Sequence, residues 1–125
     1  MTESIIVRVV NQYMAAWNTA DAGIRNGLLR DCWSERGNYI DPTVVLAGRD
    51  ALAMHIAQVQ SRRPGAKLEF MSGVDVHHNV VRFLWRLVRA DGTAGETSID
   101  FGEIGSDLKL TKIVGFFGAV PMLPK

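Results

Sequence analysis

Apolar residues recur at three- and four-residue spacing through the first half of the chain and at alternate positions through the second, so the pattern predicts helices first and strands after. Ile6, Val9, Val10, Tyr13 and Trp17 form one stripe on a first helix that Thr2 is placed to cap. Asn18 to Asp21 interrupts the stripe, and Ile24, Leu28 and Cys32, with Leu29 beside them, mark a shorter second helix despite Gly23 and Gly27. Ser34 to Gly37 reads as a polar turn. Asn38 to Asp41 then reads as a short strand closed by Pro42, which disfavours helix for the residue before it and offers no N–H. A loop runs through Gly48. Asp50 is placed to cap a third helix, with Leu52, His55, Ile56 and Val59 at i, i+3, i+4 and i+7, and Pro64-Gly65 ends it.

From Lys67 the period is two, which predicts strands at about 67–77, 80–90, 95–104 and 109–117. The separators His78-Asn79, Asp91-Gly92 and Gly105-Ser106-Asp107 are short, so neighbouring strands are expected to pair antiparallel as a meander. Helices followed by strands, unmixed, imply an α+β domain with helices packed on one face of a curved sheet.

Composition narrows this picture. A chain of 125 residues, 47% hydrophobic and 22% charged, suits one domain spanning 1–125, long enough to bury a core without disulfides or metal. The single cysteine, Cys32, excludes an internal disulfide and fits a reducing compartment, so a cytoplasmic location is expected. The N-terminus does not read as a secretory signal, and no apolar run reaches bilayer length. A net charge of +1 without basic clusters beyond Arg62-Arg63 argues against nucleic acid and membrane surfaces as partners. No HxxxH, CxxC, phosphate-loop or serine-nucleophile pattern occurs, so no metal, nucleotide or other cofactor is expected.

The candidate chemistry sits on a few polar residues in apolar surroundings. Tyr39 and Asp41 share one strand face, and Ile40 takes the other. If that face meets a cavity, Asp41 is a candidate general base; if it meets water, Asp41 only shapes the turn before Pro42. His55 lies on the buried stripe of its helix, either as a satisfied core histidine or as an acid–base partner of Asp41. Asp100 alternates with Ser98 and Gly102, so it faces either a pocket or solvent, with Ile99 and Phe101 opposite. Tyr13 is either core or hydrogen-bond donor. Trp17, Trp33, Tyr39 and Phe117 are candidate pocket walls, as are Phe83 and Trp85, which alternate with Arg82 and Arg86. Ile113, Gly115 and Phe117 are expected on the pocket side with Thr111, and Gly115 would leave room for a ligand. His77 and His78 should point opposite ways on their strand, which makes a metal site there improbable.

The order helix, helix, strand ending Asp41-Pro42, helix opening Gly48-Arg49-Asp50, and long meander resembles the nuclear transport factor 2-like superfamily over roughly residues 3–118. Its members include ketosteroid isomerases, SnoaL-like polyketide cyclases, scytalone dehydratase and limonene epoxide hydrolase. The resemblance implies a cone, a sheet wrapped around a long helix and an apolar pocket, in a chain that often dimerises through the sheet. It also implies isomerase roles: Asp41 as base, with Tyr13 and a protonated Asp100 as the donors to an enolate oxygen. Two departures stand out. The spacing from Tyr13 to Asp41 exceeds that of the isomerases, and Ile56 and His55 occupy positions where some isomerases carry a tyrosine and another aromatic. The functional expectation is therefore a metal-free proton-transfer isomerase acting on a small hydrophobic carbonyl compound. The alternatives are a non-catalytic ligand-binding or dimerisation domain, and a dehydratase or hydrolase built on an Asp–His pair.

Overall fold

A computed structural model describes residues 2–125 as three helices and seven strands. The chain runs α1 (Thr2–Asn18), α2 (Ala22–Cys32), β1 (Trp33–Asp41), β2 (Val44–Ala47), α3 (Arg49–Arg62), β3 (Lys67–Phe70), β4 (Asp75–His77), β5 (Val80–Val88), β6 (Ser98–Ile104) and β7 (Leu110–Phe116). The capping side chain expected at Thr2 lies outside the described residues. α2 begins at Asp21, whose carboxylate accepts the N–H of Ile24.

The strands form one sheet in the order β2-β1-β7-β6-β5-β3, with β4 also paired to β5. The sheet is curved, unclosed and mixed, because β1 runs parallel to β7 while every other pairing is antiparallel. This corrects the purely antiparallel sheet expected from the short turns. Hairpin turns dictate direction only between strands they join, and β1 and β7 are separated by most of the chain.

Other boundaries shift for local reasons. β1 begins at Trp33 and absorbs the expected turn at Ser34 to Gly37, with an irregularity between Trp33 and Asn38. The expected loop after Pro42 contains β2, which pairs back on β1. Gly48, at φ 94°, occupies the N-cap of α3 in place of Asp50, which lies in the first turn. The strand expected at 67–77 splits into β3 and β4, both paired to β5. His78 adopts φ 53° and leaves the strand, so the rings of His77 and His78 meet, with their Nδ1 atoms 3.0 Å apart, instead of pointing apart.

α1 and α3 bury their expected stripes against the rest of the core, whereas α2 turns Arg25, Leu29 and Cys32 inward and leaves Ile24, expected on its buried stripe, exposed. Ile6, Val10, Leu29, Cys32, Leu52, Ile56, Leu110 and Ile113 are fully enclosed. Two polar devices fix how the helices meet. The buried Arg25 guanidinium donates to the carbonyls of Thr19 and Ala20 and to Gln60, whose amide donates to the carbonyls of Trp17 and Thr19, so α2 and α3 jointly satisfy the open end of α1. Asn18 donates to the carbonyl of Leu68 and accepts its N–H, both at 2.8 Å, which ties α1 to β3.

Gly102 on β6 is packed closely against apolar core side chains. A Cβ there would lie 2.9 Å from both Ile113 Cδ1 and Val81 Cγ2 and 3.2 Å from Leu110 Cδ2. Gly102→Ala is expected to destabilise the fold by about 1–3 kcal/mol through overpacking, read as a lowered urea midpoint with unchanged slope. An unchanged midpoint would mean that the three neighbours yield freely.

Candidate active site

Three adjacent strands carry a row of residues across the inner face of the sheet. β6 pairs Asp100 with Gly115 of β7, and Asp41 of β1 lies one step beyond the paired residues Ile40 and Val114. Asp41 and Asp100 thus flank a residue that has no side chain. A Cβ on Gly115 would stand 2.7 Å from Asp100 Oδ1 and 3.7 Å from Asp41 Cβ, so the space expected there for a ligand is taken by the carboxylates themselves. Both aspartates are buried.

The two carboxyls are shifted in opposite directions. Burial pushes the Asp41 carboxyl up, but hydrogen bonds outweigh it and hold the group below the ordinary carboxylate range. Thr43 donates its Oγ1–H at 2.6 Å and its N–H at 2.7 Å to Oδ1, and the Val44 N–H adds a third bond at 3.2 Å. Tyr39 donates its hydroxyl to Oδ2 at 2.6 Å. Oδ1 is therefore saturated by the turn, and Oδ2 is the oxygen with capacity to spare. His55 Nε2 lies 3.8 Å from Oδ2, too far for a direct bond, and burial pushes the imidazole down towards its neutral form against the pull of Asp41.

Asp100 has one partner, the Trp85 indole N–H at 3.0 Å. Burial dominates here: it pushes the carboxyl up to about 7, opposed by the Trp85 bond and reinforced by the negative charge of Asp41. Tyr13 is buried beside this pair, and burial with the Asp100 charge holds its hydroxyl protonated. Tyr39 is likewise kept protonated by burial.

These groups line a cavity of about 490 Å³ between α1, α3 and the sheet. The structure brings Asp41, His55, Tyr13 and Asp100 together there, with Trp17, Tyr39, Trp85 and Phe117 on the walls. Trp17 and Tyr39 both pack on the His55 ring, and Phe117 meets Trp85 edge to face. Trp33, Phe83 and Ile113 are placed in the core instead: Trp33 stacks against Tyr13 with ring centroids 5.6 Å apart, and Phe83 packs on Phe70. Thr111 leaves the inner face because the register slips between Glu103 and Ile104, which gives that side to Leu110. A depression of about 500 Å³ on the outer face contains none of the four candidate groups.

Sequence reasoning missed Thr43, Met14, Val59, Leu68 and Leu87 at this cavity, and the charged residues Arg62, Arg63 and Glu96 at its mouth. Thr43 had a signal, the Asp-x-Thr spacing of a side-chain turn. Among the described residues, no three His, Cys, Asp or Glu side chains form a group able to hold a metal ion. No helix among them is long and apolar enough to cross a membrane.

Three helices on one face of a curved, unclosed mixed sheet, with ionisable side chains lining a lateral cavity, define an α+β fold. No family model and no curated protein matches the chain by sequence. Solved structures do match by shape. A candidate isomerase of the SnoaL-like family from Agrobacterium tumefaciens is 28% identical, with 93% of this chain and 99% of that one covered at a TM-score of 0.87. A candidate SnoaL-like polyketide cyclase from Jannaschia is 14% identical, covering 90% and 85% at 0.73. A de novo designed protein with a curved β-sheet, 14% identical, covers 94% and 88% at 0.73. The chain has the fold of the nuclear transport factor 2-like and SnoaL-like proteins.

Asp100 gives this site a pH signature. Its carboxyl ionises at 3.8 in an ordinary setting and at about 7 in the fold, so the folded chain holds a proton that the unfolded chain releases. Stability therefore falls as pH rises from 4 towards 7, by a total on the order of 4 kcal/mol. Asp41 has the opposite sign, its contribution being lost as pH falls. Asp100→Asn keeps an acceptor for Trp85 and removes the charge, so its melting temperature should exceed the parent's at pH 8 and approach it at pH 4.5. An equal difference at both pH values would contradict the burial of an ionisable proton at Asp100.

Proposed function

We propose that the chain is a metal-free isomerase that moves a proton between two carbons of a small hydrophobic carbonyl compound. The observation that carries this reading is the pair of buried carboxyls facing the same cavity across Gly115, with surroundings that shift their proton affinities in opposite directions. Groups whose surroundings push their proton affinities apart are suited to acid and base roles in one reaction. The isomerase name attached to the Agrobacterium protein points the same way.

Asp41 Oδ2 takes the proton from the carbon next to the carbonyl. The C–H electron pair becomes the enolate double bond, and negative charge gathers on the carbonyl oxygen. Asp100 and Tyr13 donate hydrogen bonds to that oxygen in a cavity walled by Trp17, Trp85 and Phe117. Asp41 then returns the proton to a carbon further along the conjugated system, so no external acid, base or electron carrier enters the balance. Because its hydrogen bonds make Asp41 a weak base, the reaction needs an acidic C–H. That favours β,γ-unsaturated ketones, whose dienolate offers a second carbon to receive the proton. Neutral His55 fixes the rim of the base site without a direct bond to the carboxylate.

We propose further that two copies meet through the outer face of the sheet. Phe101 and Phe116 are exposed there with ring centroids 6.3 Å apart. Phe101→Glu with Phe116→Glu is expected to shift the sedimentation of the protein from dimer to monomer. A parent that sediments as a monomer would end the proposal.

Turnover of a panel of β,γ-unsaturated cyclic ketones tests the chemistry. Asp41→Asn is expected to lower kcat by on the order of 10²–10⁴-fold with the melting temperature preserved. In the parent, kcat/KM should decline above about pH 7 as Asp100 loses its proton, and Asp100→Asn should abolish that decline. Turnover in Asp41→Asn equal to the parent's would exclude Asp41 as the base.

A further inference from the structure

The mouth of the cavity carries charge that the proton-transfer chemistry does not use. Arg62, in the last turn of α3, and Arg63, which follows it, both line the cavity and are exposed. Neither forms an ion pair with a carboxylate among the described residues. A cation in the last turn suits the helix dipole, which accounts for the place of Arg62 along α3 but leaves both guanidinium groups without a partner. By contrast, Arg82 and Arg86 on the outer face are each paired, with Asp75 and Glu69.

The charges facing the cavity are ordered along its depth. The inner end holds the buried carboxyls of Asp41 and Asp100 with Tyr13, Tyr39 and His55, and it offers no cationic side chain. Met14, Trp17, Val59, Leu68 and Leu87 make an apolar middle. The mouth has the two arginines, with one carboxylate, Glu96, held close to the backbone at Gly118. An anion would be repelled at the inner end and attracted at the mouth.

We infer that the ligand of this pocket is an amphiphile, an apolar ketone bearing a carboxylate that stays at the mouth against Arg62 and Arg63. The planar guanidinium fork matches a carboxylate at two points, and the apolar middle accepts the body that separates the two ends. The polarity also orients the ligand, because only the carbonyl end is tolerated beside Asp41. The assignment of the carbonyl to the inner end rests on the proton-transfer reading; the assignment of the carboxylate to the mouth does not.

Equilibrium binding separates the two. The probes are 6-oxo-6-phenylhexanoate and its methyl ester, followed by quenching of the fluorescence of the tryptophans, two of which, Trp17 and Trp85, line the cavity. The acid is expected to bind the parent about tenfold more tightly than the ester. Arg62→Gln with Arg63→Gln should bring that ratio close to one. A control that removes the same charge elsewhere, Arg30→Gln with Arg36→Gln, should leave the ratio intact, and Glu96→Gln should increase it. Equal binding of acid and ester by the parent, no binding of the acid at millimolar concentration, or a preference that survives the loss of both arginines would overturn the inference. Asp41→Asn is expected to keep the preference while losing turnover, so failure at the mouth and failure of the base assignment give different results.

Discussion

Two carboxyl groups buried side by side on one sheet face would repel each other if both were ionised, and β1, β7 and β6 bring Asp41 and Asp100 together in this way across Gly115. Gly115 lets both side chains use the space above one position of β7, and a methyl group there would strike Asp100. The conflict is relieved chemically. Asp41 receives four hydrogen bonds and keeps its charge, while Asp100 receives one and tends to keep its proton. A buried charge is tolerated when fully bonded, and a poorly bonded acid is tolerated when neutral. The sheet thus needs the difference between the two sites as much as any reaction would.

That difference was partly legible in the chain. The spacing of Ile6 to Trp17 and of Leu52 to Val59 located two helices because an apolar stripe at helical period has few other solutions. Alternation located the later strands for the same reason. The parallel contact of β1 with β7 was not legible, since pairing between ends of the chain leaves no local trace. Trp33 and Phe83 show a second limit: alternation assigns a residue to the inner face, but it does not say how deep along that face the cavity reaches. Both were expected on the wall and lie in the core beneath it.

The site illustrates how little a local motif decides by itself. Asp41 with Thr43 and Asp91 with Thr93 form the same turn, each threonine donating its N–H and hydroxyl to one carboxylate oxygen. Both aspartates are held below the ordinary range. One faces a cavity with Tyr39 and His55, and the other is fully exposed on the β5–β6 connection. The turn supplies a charged carboxylate; its surroundings decide whether that charge has anything to act on. Arg62 and Arg63 stood out in the sequence as a basic pair but were not assigned to the site for a related reason, because at the end of a helix two arginines have an ordinary explanation.

The bond between Asn18 and Leu68 carries a consequence of another kind. A sheet ends where backbone donors and acceptors have no neighbour, and such an edge is a template on which a foreign strand can grow. Here an amide side chain presents one donor and one acceptor to β3 in the manner of a peptide group, at 2.8 Å each. The end of α1 therefore serves as a stopper for strand addition on that side. A protein that opens its sheet to hold a pocket has to close the margin it creates, and this one does so with a single asparagine.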